Sequence, residues 1–379
     1  MKVVLISHTY VADVNRKRLR EMAKLGIDLT LVVPDIWKRP MGSVAFKPAS
    51  WEQGYRIKVK HIIYSGRQSR FFFMDHSCGL FRENPDIVHI EQEPFCLMAG
   101  QALMASRFFA PQAKTLFMTW QNIFVPYYGF PFQKIENYVH RHAGGIVCGN
   151  RKAEEILRRK EYQGSTWVLP DKGIDLELYK KDEIGSKTLR EELGISGFVV
   201  GYLGRLVEAK GIFTTVEAVA AMPEDVQLLI VGGGKDKDRL KQAVKNAGIE
   251  KRTIFQEVVP HTEVPRWLNI MDVMVLPSLT TPEWKEQFGH TIIEAMACGV
   301  PVVGSSSGEI PNVIGNAGIV FQEGDSGKLR KALETLYSSP AFRSDLAQQG
   351  LERAKEFSHL NIAKKTIEIY RELLNGTRW

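Results

Sequence analysis

Two carboxylates and two cations in the second half of the chain have the chemistry to hold a charged, hydroxyl-rich ligand. Glu286 and Glu294 bracket a loop that runs into a short helix starting near Gly289, and residues 300–303 then read as an apolar strand. A helix start presents backbone N–H groups, here those of His290 and Thr291 next to Phe288 and Gly289. Together with the helix dipole they favour an anion such as phosphate. Carboxylates on either side accept hydrogen bonds from hydroxyls, so the pattern suits a sugar nucleotide. Each part has a plainer reading. A Glu at a helix start usually compensates the dipole at the surface, and an Ala-Met-Ala-Cys run is usually helix core. The coincidence of loop, paired Glu and following strand carries the functional reading.

Upstream, Gly204-Arg205-Leu206 and Lys210-Gly211 directly follow the apolar run 198–203. The Arg, through paired hydrogen bonds, and the Lys, as a point charge, can neutralise a diphosphate leaving group. Taken alone, such a pair is a common exposed feature. Gly232-Gly233-Gly234 also follow a strand and precede a helix, without the spacing of a dinucleotide fingerprint. They read as a turn that lets backbone approach a nucleotide or phosphate. Asp236 and Asp238 have the look of a metal pair, but Lys235, Lys237 and Arg239 surround them and oppose a cation, so no metal site is expected.

The elements that must position these residues alternate. Strand, helix and strand are predicted at 3–6, 15–25 and 29–33, which makes a right-handed βαβ unit and a parallel sheet. The rhythm continues with strands at 87–90, 115–118 and 145–148 and a helix at 97–109. Residues 40–64 interrupt it as a hairpin or extra strands, and 65–81 carry Phe71, Phe72 and Phe73 beside Arg67 and Arg70. That aromatic run suits a membrane surface, an acceptor or, for at least one ring, the core. A charged connection at 180–197 precedes a second series: strands at 198–203, 226–231, 253–256 and 273–276, helices at 213–221 and 237–247, a helical final third from Gly327, and an amphipathic helix at 361–374.

The 379 residues are 44% hydrophobic, enough for two domains. The N-terminal run is too short for a signal peptide and no stretch is long and apolar enough to span a membrane, which predicts a cytoplasmic protein. Four scattered cysteines, Cys78, Cys96, Cys148 and Cys298, read as free thiols rather than a zinc site. The net charge of +7 is concentrated before residue 180, notably at Arg16, Lys17, Arg18 and Arg20 and at Arg158, Arg159 and Lys160. Such clusters suit an anionic lipid or acceptor, or simply a solvated helix face. No nucleic-acid motif accompanies them.

The block from Glu286 to Glu294 resembles the Glu-x7-Glu motif of retaining family 4 glycosyltransferases of the GT-B type, and Arg205 and Lys210 resemble their diphosphate-binding pair. The resemblance implies an α/β fold of two doubly wound Rossmann-like domains with a donor cleft between them. Residues 1–178 would be the acceptor-binding domain, with a C-terminal helix at about 359–379 packing back on it, and 179–358 the donor-binding domain. It implies catalytic roles for Glu286, Arg205 and Lys210. Donor binding would fall to Gly204, Gly233, Val259, Phe288, Gly289, His290, Thr291 and Glu294, with Glu286 on the donor sugar, Glu294 on the ribose and backbone near Val259 on the base. The implied reaction moves a hexose from a UDP- or GDP-linked donor to a glycan or lipid-linked acceptor, with retention, in cell-surface polysaccharide or glycoconjugate synthesis. A diphosphate oxygen would take the acceptor proton, and neither cofactor nor metal is required; a covalent intermediate on Glu286 stays open.

The chain departs from the family pattern in its first half. His8 to Asp13 stand where a Gly-Gly pair is usual, and Thr119 to Asn122 where a His often follows the strand. Glu257 replaces the usual glycine before Val259. His8, Asp13 and Asn122 are the acceptor-side candidates, with capping or turn roles open for each, and His89, Glu91 and Glu93 also follow a strand. The rival readings are a sugar-nucleotide 2-epimerase of the same architecture and a non-catalytic sugar-binding protein. Peripheral contact with an anionic membrane at the inner face of the cell membrane would use the basic first domain.

Overall fold

The computed structural model describes residues 1–39, 42–74, 83–170 and 172–376. The chain divides into two compact units, Met1–Gly173 with His359–Trp379, and Ile174–Ser358. Ile174 and the residues after it side with the second unit because Ile174 bridges Ser358, its N–H donating to the Phe357 carbonyl at 2.8 Å.

The first unit is built on a seven-stranded sheet. In chain order its strands are β1 (Lys2–Ile6), β2 (Asp28–Pro34), β3 (Arg56–Lys60), β4 (Ile87–Ile90), β5 (Lys114–Thr119), β6 (Gly145–Cys148) and β7 (Ser165–Val168), arranged β7-β6-β5-β4-β1-β2-β3 and all parallel. The central strands are almost wholly buried and mainly apolar, as a sheet covered on both faces requires. Helix α1 (Lys17–Lys24) begins two residues later than the pattern predicts, after a 3-10 turn at Asp13–Arg16. Helix α2 (Leu97–Phe109) has its expected limits. The region read as a hairpin supplies a small antiparallel ribbon, Ile36–Arg39 with Gly42–Ala45, and then β3, which joins the main sheet. Phe71 and Phe73 are buried and Phe72 is half-buried; residues 75–81 of that segment, Cys78 among them, lie outside the described residues.

The second unit has a six-stranded parallel sheet: β8 (Phe198–Leu203), β9 (Val226–Val231), β10 (Thr253–Gln256), β11 (Val273–Leu276), β12 (Val302–Ser305) and β13 (Gly318–Phe321), in the order β10-β9-β8-β11-β12-β13. Strand β12 begins two residues after the predicted start. Pro301 has no N–H to give the ladder and contributes only its carbonyl, which accepts from Met274 at 2.9 Å. Helices α3 (Ile212–Ala220), α4 (Lys237–Asn246) and α5 (His290–Ala297) follow β8, β9 and β11. From Ser326 the chain is helical, and it ends in α6 (His359–Asn375), which belongs to the first unit. That helix packs against α1 in the first unit, and the Tyr370 hydroxyl lies 2.8 Å from His89 Nδ1. Among the described residues no helix is long and apolar enough to cross a membrane.

The first basic cluster does not form a solvated face. Arg16 and Arg18 are 0% and 2% exposed. Arg16 pairs with Glu52 and donates to the carbonyls of Tyr10 and Lys47 at 2.7 and 2.6 Å; Arg18 pairs with Glu91 and the Tyr10 hydroxyl. A sequence pattern reveals charge but not the buried partner that consumes it.

Candidate functional site

In a parallel sheet every strand ends at the same edge, and in the second unit that edge gathers the predicted residues. After β8, the Gly204 N–H donates to the Val231 carbonyl at 3.0 Å and the Leu206 N–H to the Gly233 carbonyl at 2.9 Å. This stitches the Arg205 loop to the glycine turn after β9. A Cβ on Gly232 would stand 2.0 Å from the Gly204 carbonyl oxygen, and one on Gly234 2.2 Å from that of Leu206. Glycine is required there by the closeness of two backbones. Asp236 accepts from the Glu208 N–H at 2.8 Å and from Arg239 at 3.2 Å, so it braces the same pair of loops.

Lys210 ends a 3-10 turn, Glu208–Lys210, that is closed by Gly211 with φ +67°. A Cβ on Gly211 would fall 1.8 Å from the Pro277 carbonyl oxygen, so only glycine lets the turn seat on the end of β11. That seating brings Lys210 Nζ to 2.5 Å from Glu286 Oε2 and 4.9 Å from the Trp284 ring centroid. Glu286 is 8% exposed, and the same oxygen accepts from the Ser278 hydroxyl at 2.8 Å. Its carbonyl accepts from Glu309 at 3.1 Å and lies 2.0 Å from where a Cβ on Gly308 would be. The first carboxylate of the motif is thus fixed through both side chain and backbone. Arg205 is exposed, with its carbonyl tied to the buried Tyr202 hydroxyl at 2.7 Å. Burial pushes that phenol up; Glu286 adds to the shift and Arg205 opposes it, so one ring lies in the field of both groups.

Helix α5 starts at Gly289, whose φ of +86° no side-chain cap accompanies. Phe288 is nearly buried, its ring 4.8 Å from that of His290 and 5.5 Å from that of Phe357; His290 is exposed and Thr291 half-buried. Glu294, one turn inside the helix, faces Tyr179. Burial pushes its carboxyl up to about 7, against the hydrogen bond from the Tyr179 hydroxyl. Val259 is half-buried against the core, and Glu257 is exposed and paired with Lys237. The set offers cations, backbone at a helix start and fixed carboxylates on a single edge. That is a chemistry for an anion joined to a polyol.

Residues 186–353 match the family model for glycosyl transferases group 1. Among curated relatives, the 2-deoxystreptamine glucosyltransferase of Streptomyces kanamyceticus is 26% identical over 217 residues, covering 55% of this chain and 54% of the relative. The alpha-maltose-1-phosphate synthase of Mycolicibacterium smegmatis is 31% identical over 219 residues, covering 53% and 55%. The chain thus spans about half the length of these relatives. Among solved structures, the Anabaena protein HepE in complex with UDP superposes with a TM-score of 0.74 over 98% of this chain and 99% of that one, at 20% identity. The fold is GT-B.

The acceptor-side candidates of this GT-B chain lie in the first unit, at the ends of β1 and β5. The His8 ring packs on Trp37 at 4.3 Å and on Phe71 at 5.5 Å. Exposed Asp13 accepts from the Val14 N–H at 2.8 Å at the start of the 3-10 turn, whose N-cap is Ala12. Asn122 is buried in the segment after β5. His89, Glu91 and Glu93 are interior supports rather than exposed groups. His89 holds Tyr370, Glu91 holds Arg18, and Glu93 accepts from the Thr119 hydroxyl at 2.6 Å and the Trp120 N–H at 2.8 Å.

Sequence reasoning did not single out Tyr179, Trp284 or Ser278 as site residues. Ser278 carried a signal, since it closes a strand at the ligand-facing edge. Tyr179 reaches Glu294 from more than a hundred residues away, and no local pattern announces that contact.

Proposed function

We propose that the chain is a retaining, metal-independent glycosyltransferase that moves a hexose from a UDP- or GDP-linked donor to a glycan or lipid-linked acceptor. The observation that carries this reading is the Lys210–Glu286 pair at 2.5 Å, beside exposed Arg205 and the start of α5, within the segment that matches the glycosyl transferase model. The UDP held by the HepE structure supports a uridine donor.

In this reaction the bond from the anomeric carbon to the diphosphate breaks and the electron pair leaves with the diphosphate. Arg205 and Lys210 stabilise that growing charge, and the start of α5 receives a phosphate. The acceptor hydroxyl attacks from the face the diphosphate leaves, giving its proton to a diphosphate oxygen. Glu286, oriented by Ser278 and Lys210, accepts from the sugar's hydroxyls, and Glu294 accepts from the ribose. Val259 and Gly233 bring backbone to the nucleoside.

Calorimetric titration of the full chain without added metal, against UDP-, GDP- and ADP-sugars, tests the donor assignment. One base is expected to bind, and Glu294→Ala to weaken it about tenfold or more, the worth of a hydrogen bond to a charged group. If no nucleotide binds, the reading is wrong.

A further inference from the structure

Two groups meet the Lys210 ammonium: Glu286 Oε2 at 2.5 Å, and the face of the Trp284 ring, whose centroid lies 4.9 Å from Nζ. The side chain of Lys210 is 14% exposed and that of Glu286 10%, so these contacts are made largely out of water. Trp284 and Glu286 both lie on the loop between β11 and α5. Within it Thr281 and Trp284 close a tight turn. The Thr281 N–H donates to the Trp284 carbonyl at 2.7 Å, and the Trp284 N–H donates to the Thr281 hydroxyl oxygen at 3.0 Å. Thr280 fastens the turn to the rest of the unit, since its N–H donates to the Glu323 carboxylate and its hydroxyl lies 3.0 Å from that of Ser307. The Leu279 N–H donates to the Ala209 carbonyl at 2.8 Å, which joins this loop to the 3-10 turn carrying Lys210. Ring and ammonium thus stand on two backbone segments that are fastened to each other.

We propose that Trp284 is a positioning residue for Lys210: its ring holds the ammonium where charge develops on the departing diphosphate, and it acts on the reaction through Lys210 alone. The inference rests on the donor reading of the site and adds a residue to it. Lysine is a strongly hydrated point charge on a flexible four-carbon stem, so unsupported it spreads over many rotamers. Stabilisation of a developing charge requires donors already in place when that charge forms. Glu286 is one fixed partner, but in the reaction above its carboxylate also accepts from the sugar's hydroxyls. An ammonium carries three N–H donors. The ring attracts the charge through its quadrupole rather than through a lone pair, and so steadies the cation while leaving N–H groups for the diphosphate. For a cation and a ring partly withdrawn from water, that attraction is worth about tenfold in an equilibrium or a rate. Trp284 is half-buried, and its partner cation is nearly buried.

The test is a double-mutant cycle on the full chain, with Trp284→Leu, Trp284→Phe and Lys210→Met made singly and Trp284→Leu also combined with Lys210→Met. Two quantities are read: turnover, as release of nucleoside diphosphate from UDP-glucose and GDP-mannose, and calorimetric affinity for free UDP and GDP, whose diphosphate carries the charge that the leaving group acquires. Trp284→Leu is expected to lower both about tenfold for the nucleotide that the parent uses. Trp284→Phe keeps a π face and is expected to stay within about threefold of the parent. On the Lys210→Met background, Trp284→Leu is expected to cost nothing further, because the cation that the ring holds is gone. Should the leucine variant fail to fold, Trp284→Met takes its place in the cycle. A phenylalanine variant as impaired as the leucine one, a full tenfold cost of Trp284→Leu on the Lys210→Met background, or a folded Trp284→Leu equal to the parent overturns the inference and leaves the donor site standing. A parent that binds neither nucleotide and releases none overturns the donor reading and this inference with it.

Discussion

Glu286 is held by a cation, a hydroxyl and its own backbone, and these supports fail in different ways. Lys210→Met leaves a carboxylate at 8% exposure without its counter-charge. The expected cost is about 1–3 kcal/mol of stability, read by denaturant unfolding, together with a fall in turnover of about a hundredfold or more because the leaving group loses its cation. Ser278→Ala removes one neutral donor to Glu286; turnover about tenfold lower with an unchanged unfolding midpoint is the expected result. Gly308→Ala acts through the backbone. Its φ is +58° and the added Cβ would lie 2.0 Å from the Glu286 carbonyl oxygen, so the loop must move and the carboxylate with it. Activity is expected to be lost while the chain remains folded by circular dichroism. At this scale the spacing of Glu286, Glu294, Arg205 and Lys210 was legible in the sequence, because four charged residues at strand ends and a helix start make an unusual pattern. Tyr179 was not, since its meaning lies in a contact with Glu294 that only the fold creates.

Among the elements, the strands in the middle of each sheet were legible, as was the edge strand β10, whereas the other three edges were not. Strands β8 and β9 are mainly apolar runs, each followed by Gly, and their limits agree with the pattern. Strands β3, β7 and β13 are edges, with sequences RIKVK, STWV and GIVF that are largely half-exposed. An edge strand buries less of itself, so its hydrophobic signal fades. Helix α6 was visible from its amphipathic pattern, but its anchor is polar. The Tyr370 hydroxyl meets His89 in the middle of β4, and burial holds His89 well below the usual imidazole range. A His whose folded-state pKa is lowered supports folding above its unfolded value of about 6.5, and that support is lost as pH falls below it, by up to about 1.4 kcal/mol per unit. The stability of the parent relative to His89→Asn is therefore expected to shrink between pH 7.5 and pH 5 in thermal unfolding. A constant difference across that range would contradict the assignment.

For the molecule as a whole, the βαβ rhythm sufficed to anticipate two parallel-sheet units, because parallel strands need helical crossovers and buried strands read as apolar runs. The charge distribution was harder to read. The excess of basic residues was visible, yet the structure turns part of it inward, with Arg16 and Arg18 committed to Glu52 and Glu91. Glycosyl transfer at the edge of the second sheet is the claim on which the rest depends. Its most direct test is release of nucleoside diphosphate from UDP-glucose and GDP-mannose, without added metal, by the parent and by Arg205→Ala. The account predicts release from one donor by the parent and a loss of about a hundredfold or more in Arg205→Ala, because charge on the diphosphate builds as it departs. Equal rates for the two proteins would contradict it.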